Sequence, residues 1–181
     1  MEITNIVSKL PWKGSMGRRA LKDIKYVIVH HDGGLEFDGT TDVIPRYVSE
    51  ANYHIGKGWK HLGYSLKIAR SGKVYQTVPF EEIAVHAGNY TFFKNSFGIC
   101  LDGDFSRQKP SVAQLNALRS LLDHLAHHSP ELPNVVQSSF FGHKEVRGVG
   151  FPGTKFFIPS MTFCPGDVVK DIVKSYRLTG K

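Results

Sequence analysis

Cysteine is scarce in this chain of 181 residues, which holds only Cys100 and Cys164. At most one disulfide is available, and a cross-link would be unusual in a chain without an export signal. No such signal is expected, because Met1 to Arg19 contain no apolar core segment. Synthesis in a cytoplasm is therefore expected, with action outside requiring another route. No apolar run reaches the length of a membrane-spanning helix, so no span is expected. Acidic residues are outnumbered, 16 against 23 Lys and Arg, for a formal charge of +7. A net positive field suits a polyanionic partner such as an anionic cell-wall polymer. The basic residues are scattered, however, and form no helical stripe, so nucleic-acid binding is not expected. Repeats and low-complexity segments are also missing. What remains is an ordinary globular composition, 41% hydrophobic and 22% charged, long enough to bury one sizeable core.

Residues 1–24 read as an irregular arm laid across the domain, residues 25–176 as the domain itself, and 177–181 as a tail. Tyr26 to Val29 are β-favouring and apolar on both faces, as in a fully buried strand. The run stops at His30 and His31, and Gly33-Gly34 let the chain turn away. Asp42 is placed to cap a helix running to about Ile55. Alternation over residues 62–69 predicts a strand, 70–73 a hairpin turn, and 74–78 the returning strand. Ser96 to Asp102 is a further buried strand. Ser111 and Gln114 fit a capping box ahead of a leucine-rich helix. A short strand over 139–142 ends at His143, and a helix from about Gly166 to Tyr176 closes the chain. The pattern predicts a single α/β domain: a central mixed sheet of about five to six strands flanked by about three helices.

Two strands thus end in histidines, His30 and His143. If the sheet brings those ends together, Cys164, in a loop leading into the last helix, can supply a third ligand. Two imidazoles and a thiolate leave one tetrahedral position open, the arrangement of a catalytic zinc. Cys100 lies in an apolar run and reads as a small buried hydrophobe. His54 and His61 read as solvated, and His124, His127 and His128 as a helix end that favours imidazolium.

The motifs Val-Ile-Val-His-His (27–31), Leu-Gly-Tyr (62–64), Val-His-Ala-Gly (85–88), Ser-Phe-Gly-Ile (96–99), Gly-His-Lys-Glu-Val (142–146) and Thr-Phe-Cys-Pro-Gly (162–166) occur in one order. Together they resemble the zinc-dependent N-acetylmuramoyl-L-alanine amidases of type 2, which include phage endolysins and peptidoglycan recognition proteins. The resemblance spans roughly 24–176. It implies zinc held by His30, His143 and Cys164 at the strand ends. Tyr64 matches a tyrosine whose hydroxyl lies near the metal. Thr162 matches a threonine of recognition-protein amidases, a position held by lysine in several phage and bacterial enzymes. The two are the expected catalytic residues, and His31, His86 and Asn89 the expected substrate contacts. The implied reaction is metal-assisted hydrolysis of the amide joining muramic acid to L-alanine, with the Tyr64 and Thr162 hydroxyls meeting developing negative charge.

The partner implied is peptidoglycan, and a monomer is expected. Lysis of a bacterial wall by a phage-type endolysin, released through a holin-like pore, is the role the resemblance favours. A recognition module that binds without cutting and a cytoplasmic muropeptide-recycling amidase are the alternatives. The stretch between His143 and Cys164, with Gly148, Gly150, Pro152, Gly153 and Pro159, reads as an inserted loop bordering the groove. Tyr90, Phe92 and Phe93 are expected near substrate.

Overall fold

The computed structural model describes residues 1–34, 42–87, 93–130, 132–146 and 162–181. Asn89, the aromatics Tyr90 and Phe92, and the stretch 147–161 lie outside the described residues. Six strands form one mixed sheet: β1 (Ile3–Asn5), β2 (Tyr26–His31), β3 (Leu66–Ile68), β4 (Val74–Gln76), β5 (Ser96–Leu101) and β6 (Phe140–Gly142). Their spatial order is β1-β4-β3-β5-β2-β6, and only the β3–β4 hairpin is antiparallel. Among the described residues the α-helices with complete bounds are α1 (Ile44–Gly56), α2 (Val112–His127), the single turn α3 (His143–Val146) and α4 (Asp167–Thr179).

Local sequence explains the main elements. Asp42 Oδ1 accepts the Ile44 N–H at 3.0 Å as α1 begins. Ser111 and Gln114 form both bonds of the capping box that opens α2. Gly180, with φ +72°, closes α4 in the left-handed conformation that glycine adopts without strain. The arm is more ordered than the sequence suggests. Its Ile3–Asn5 segment adds an edge strand parallel to β4, a pairing that one isoleucine among polar residues does not announce.

The sheet separates two cores. On one face, Val27, Val29, Leu66, Ile68, Phe97, Ile99 and Phe140 pack against Leu118, Leu121, Leu122 and Leu125 of α2 and Val169, Val173 and Tyr176 of α4. Each fully buried leucine of that stripe contributes roughly 1.5–3 kcal/mol. On the opposite face Tyr47 and Ala51 of α1 meet Leu62, Val78 and Ala84, with Ile6 and Leu10 of the arm completing the cluster. Residue parity then decides what else faces α1. His30, Cys100 and Lys67 stand in one row across β2, β5 and β3, on the face opposite the leucine helices.

Candidate metal centre

The two histidines meet because their strands are neighbours in register. Val29 of β2 pairs with Gly142 of β6, so His30 and His143 are the next residues along parallel chains. Their ring centroids lie 4.4 Å apart. Cys164 arrives from the loop before α4, where Lys144 donates its backbone N–H to the Cys164 carbonyl at 2.8 Å. The loop can turn there because Gly166 adopts φ +85°, and a Cβ at that residue would lie 2.8 Å from the Phe105 carbonyl oxygen. Cys164 Sγ ends 3.8 Å from His30 Nδ1. One donor atom from each of His30, His143 and Cys164 falls within 4.8 Å of the others.

This donor set fits zinc. With Zn–S and Zn–N bonds near 2.3 and 2.0–2.1 Å, the edges of a tetrahedron are about 3.4–3.6 Å, close to the sulfur–nitrogen separation found. Three protein ligands are the number that leaves a catalytic position open. Burial, followed by neighbouring His143, His86 and His31, pushes His30 well below the usual imidazole range. Its neutral form keeps the lone pair that a metal needs. The His31 backbone N–H donates to Cys164 Sγ at 3.3 Å, a contact that favours negative charge on sulfur.

Around these three stand the other expected residues. The Tyr64 ring lies 5.2 Å from that of His30, and burial raises its hydroxyl well above 10.0, so it remains a donor. Thr162 is partly exposed, and its Oγ1 accepts the Cys164 N–H at 3.3 Å. His31 is half-buried, and its Nδ1 accepts the Phe105 N–H at 2.8 Å, tying the end of β2 to the loop after β5. His86, expected along the groove, is 5% exposed and packs against His30. Its Nδ1 lies 3.1 Å from His30 Nε2. Burial, with Arg19 adding to it, lowers His86 to about 3.

Two further histidines depart from the sequence reading. His54 is buried, stacks on Trp59 at 4.4 Å between ring centroids, and accepts the Gly63 N–H at 3.1 Å. His61 is also buried, between Trp12 and Glu82. Both are covered because the arm and α1 pack on the face that local sequence leaves open. Lys67 is fully buried among Asp32, Glu50 and Asp102. Burial alone would lower its pKa, but the three carboxylates hold it well above 10.5. Above this cluster lies a cavity of about 480 Å³, lined by Asp32, Arg46, Glu50, Tyr53, His54 and Tyr64 among others. It abuts the candidate centre through Tyr64 and forms a groove wall rich in charge.

The chain is 30% identical over 156 residues to peptidoglycan-recognition protein 2 of Holotrichia diomphalia, covering 84% of this chain and 81% of the relative. Among solved structures, the N-acetylmuramoyl-L-alanine amidase LysC of Clostridium intestinale superposes with a TM-score of 0.68 at 18% identity, over 98% of this chain and 97% of that one. The ectodomain complex of peptidoglycan recognition proteins LCa and LCx bound to tracheal cytotoxin gives 0.75 at 23% identity, over 97% and 96%. These likenesses in shape agree with the α/β fold described above. The sequence profile of N-acetylmuramoyl-L-alanine amidases matches residues 20–167, and the chain belongs to that family, Amidase_2.

Proposed function

We propose that this protein hydrolyses the amide bond between N-acetylmuramic acid and L-alanine in peptidoglycan, as a zinc-dependent lytic enzyme of the endolysin type. The observation that carries the reading is the complete donor set: His30, His143 and Cys164 converge beside the Tyr64 ring. When bound, zinc would supply Lewis acidity toward the amide carbonyl and acidify a water. The protein's own residues supply the rest. His30 and His143 hold their rings on rigid strand ends, and Cys164 brings a thiolate stabilised by the His31 N–H. The Tyr64 hydroxyl, protonated at neutral pH, donates toward negative charge developing on the carbonyl oxygen. Thr162 Oγ1 accepts the Cys164 backbone N–H and so helps to orient that ligand. The positive charge of the chain aids approach to an anionic wall, an effect that weakens in salt.

A module that binds muropeptide without cutting it is the competing reading, because recognition proteins are among the relatives. The intact thiol ligand favours hydrolysis. Metal analysis and digestion of purified sacculi by wild type and Cys164→Ala distinguish the two. Hydrolysis requires zinc in the wild type, with release of muramic-acid lactyl ends that the variant loses. Binding of sacculi with no such release, or release undiminished in Cys164→Ala, would overturn the proposal.

A further inference from the structure

We propose that His86 is a positioning residue for the metal centre, accepting the Nε2–H of His30 and so holding that ring with Nδ1 toward Cys164. The inference rests on the zinc reading above and assigns His86 to the protein side of the centre, away from substrate.

The geometry leaves the bond little freedom. His86 Nδ1 lies 3.1 Å from His30 Nε2, and the ring planes cross at 85°. His30 is 1% exposed and His86 5%, so water does not compete for either nitrogen. The second nitrogen of His86 is engaged as well: Nε2 lies 3.4 Å from the Ser96 carbonyl oxygen and 3.2 Å from Ser96 Oγ. These contacts decide the tautomers. A His30 that offers its Nδ1 lone pair to a metal carries its proton on Nε2 and must donate to His86. His86 Nδ1 then accepts, leaving its own proton on Nε2, where the Ser96 carbonyl accepts it. The chain of bonds runs in one direction, from the centre into the sheet.

The sheet is shaped to admit the ring. Gly98 of β5 stands in register with Ile28, and a Cβ there would lie 2.8 Å from His86 Cγ and 3.0 Å from its Cβ. Any other residue at that position would push the imidazole out of line. The far end is fixed too, because Arg19 of the arm donates to the same Ser96 carbonyl at 2.5 Å and to those of Phe93 and Lys94. The arm, β5 and a loop residue thus converge on one nitrogen of one ligand. Partners of this kind are worth about 10–100-fold in metal affinity, because they fix ring orientation and raise ligand basicity.

The test compares zinc dissociation constants of the full chain and its variants by competition with a chromophoric chelator. In His86→Asn the side-chain oxygen occupies the place of Nδ1 and keeps the acceptor for His30. In His86→Gln the amide reaches the place of Nε2 and keeps only the Ser96 side. Gly98→Ala leaves every ligand intact while displacing the ring. The expected result is affinity within about threefold of wild type for Asn, and a loss of about 10–100-fold for Gln and for Gly98→Ala. Equal affinity throughout, or equal loss in Asn and Gln, would overturn the role while leaving the zinc reading standing. Wild type that takes up no zinc would sink that reading itself. A readout free of any folding defect is the imidazole NMR spectrum of zinc-loaded wild type. A protected His30 Nε2–H is expected there, and a His30 protonated on Nδ1 would contradict the inference.

Discussion

Lys67 Nζ lies 2.9 Å from Asp32 Oδ2, and Asp32 is the second residue beyond His30. The same ammonium meets Glu50 of α1 and Asp102 at the end of β5, so one buried cation joins three elements around the centre. Arg46 and the Tyr47 hydroxyl complete the cluster, on Asp32 and Asp102 respectively. Removing the lysine leaves three largely buried carboxylates with Arg46 to offset them. Lys67→Met is therefore expected to cost about 3–5 kcal/mol in urea unfolding. Adding Glu50→Gln and Asp102→Asn removes the stranded charge and should recover part of that loss. A Lys67→Met protein as stable as wild type would show that the cluster contributes nothing to the fold.

How far the sequence discloses this arrangement depends on the range of the forces involved. Tyr26 to His31, the capping box at Ser111 and the Arg70–Lys73 turn are legible because neighbours in sequence decide them. The meeting of His30 with His143 was suggested by two strands ending alike, and the β2–β6 register supplies it. Lys67 and Ser65 were not legible as buried. An alternating segment normally turns its polar side to water, and only α1 and the arm, placed by distant contacts, close that side. The burial of His86 is likewise set at a distance, because the space that this loop residue fills is made by the missing side chain of Gly98 on β5.

The arm is tied down by Arg19, whose guanidinium donates to the carbonyls of Phe80, Phe93, Lys94 and Ser96. Burial lowers its pKa to about 10, a fall that Glu82 limits, so it is charged at neutral pH. Arg19→Ala strands these buried acceptors and should lower stability by about 2–4 kcal/mol. Arg19→Lys keeps the charge but not the planar fork that serves several carbonyls at once, so it should recover less than half. Full recovery by lysine, measured by chemical unfolding, would show that charge alone holds the arm.

His54 makes stability depend on pH. Burial, with Lys67 and His61 adding to it, lowers its folded value to about 4 from 6.5. Between those limits the unfolded chain binds a proton that the folded chain refuses, so stability falls as the pH drops from about 6.5 toward 4. By pH 5 this group should account for about 1–2 kcal/mol. In His54→Asn the side-chain oxygen still accepts the Gly63 N–H and nothing titrates. The difference in unfolding free energy between pH 7 and pH 5 should therefore shrink by that amount in the variant. An unchanged difference would place the acid sensitivity elsewhere.

Tyr64 should affect turnover without affecting the metal. Its ring stands beside His30, and the donor set needs only His30, His143 and Cys164. Tyr64→Phe keeps the ring and removes the hydroxyl proposed above to meet developing charge. Turnover on sacculi is expected to fall by about 10²-fold, as on loss of one oxyanion donor, with zinc content unchanged. Burial holds the phenol protonated well above pH 10.0, so this residue should impose no loss of rate between pH 7 and 10. Removing zinc with a chelator should abolish activity in both proteins, and adding it back should restore each to its own level. Loss of zinc from Tyr64→Phe would instead make the tyrosine a support for the ligands, and turnover equal to wild type would remove it from the chemistry.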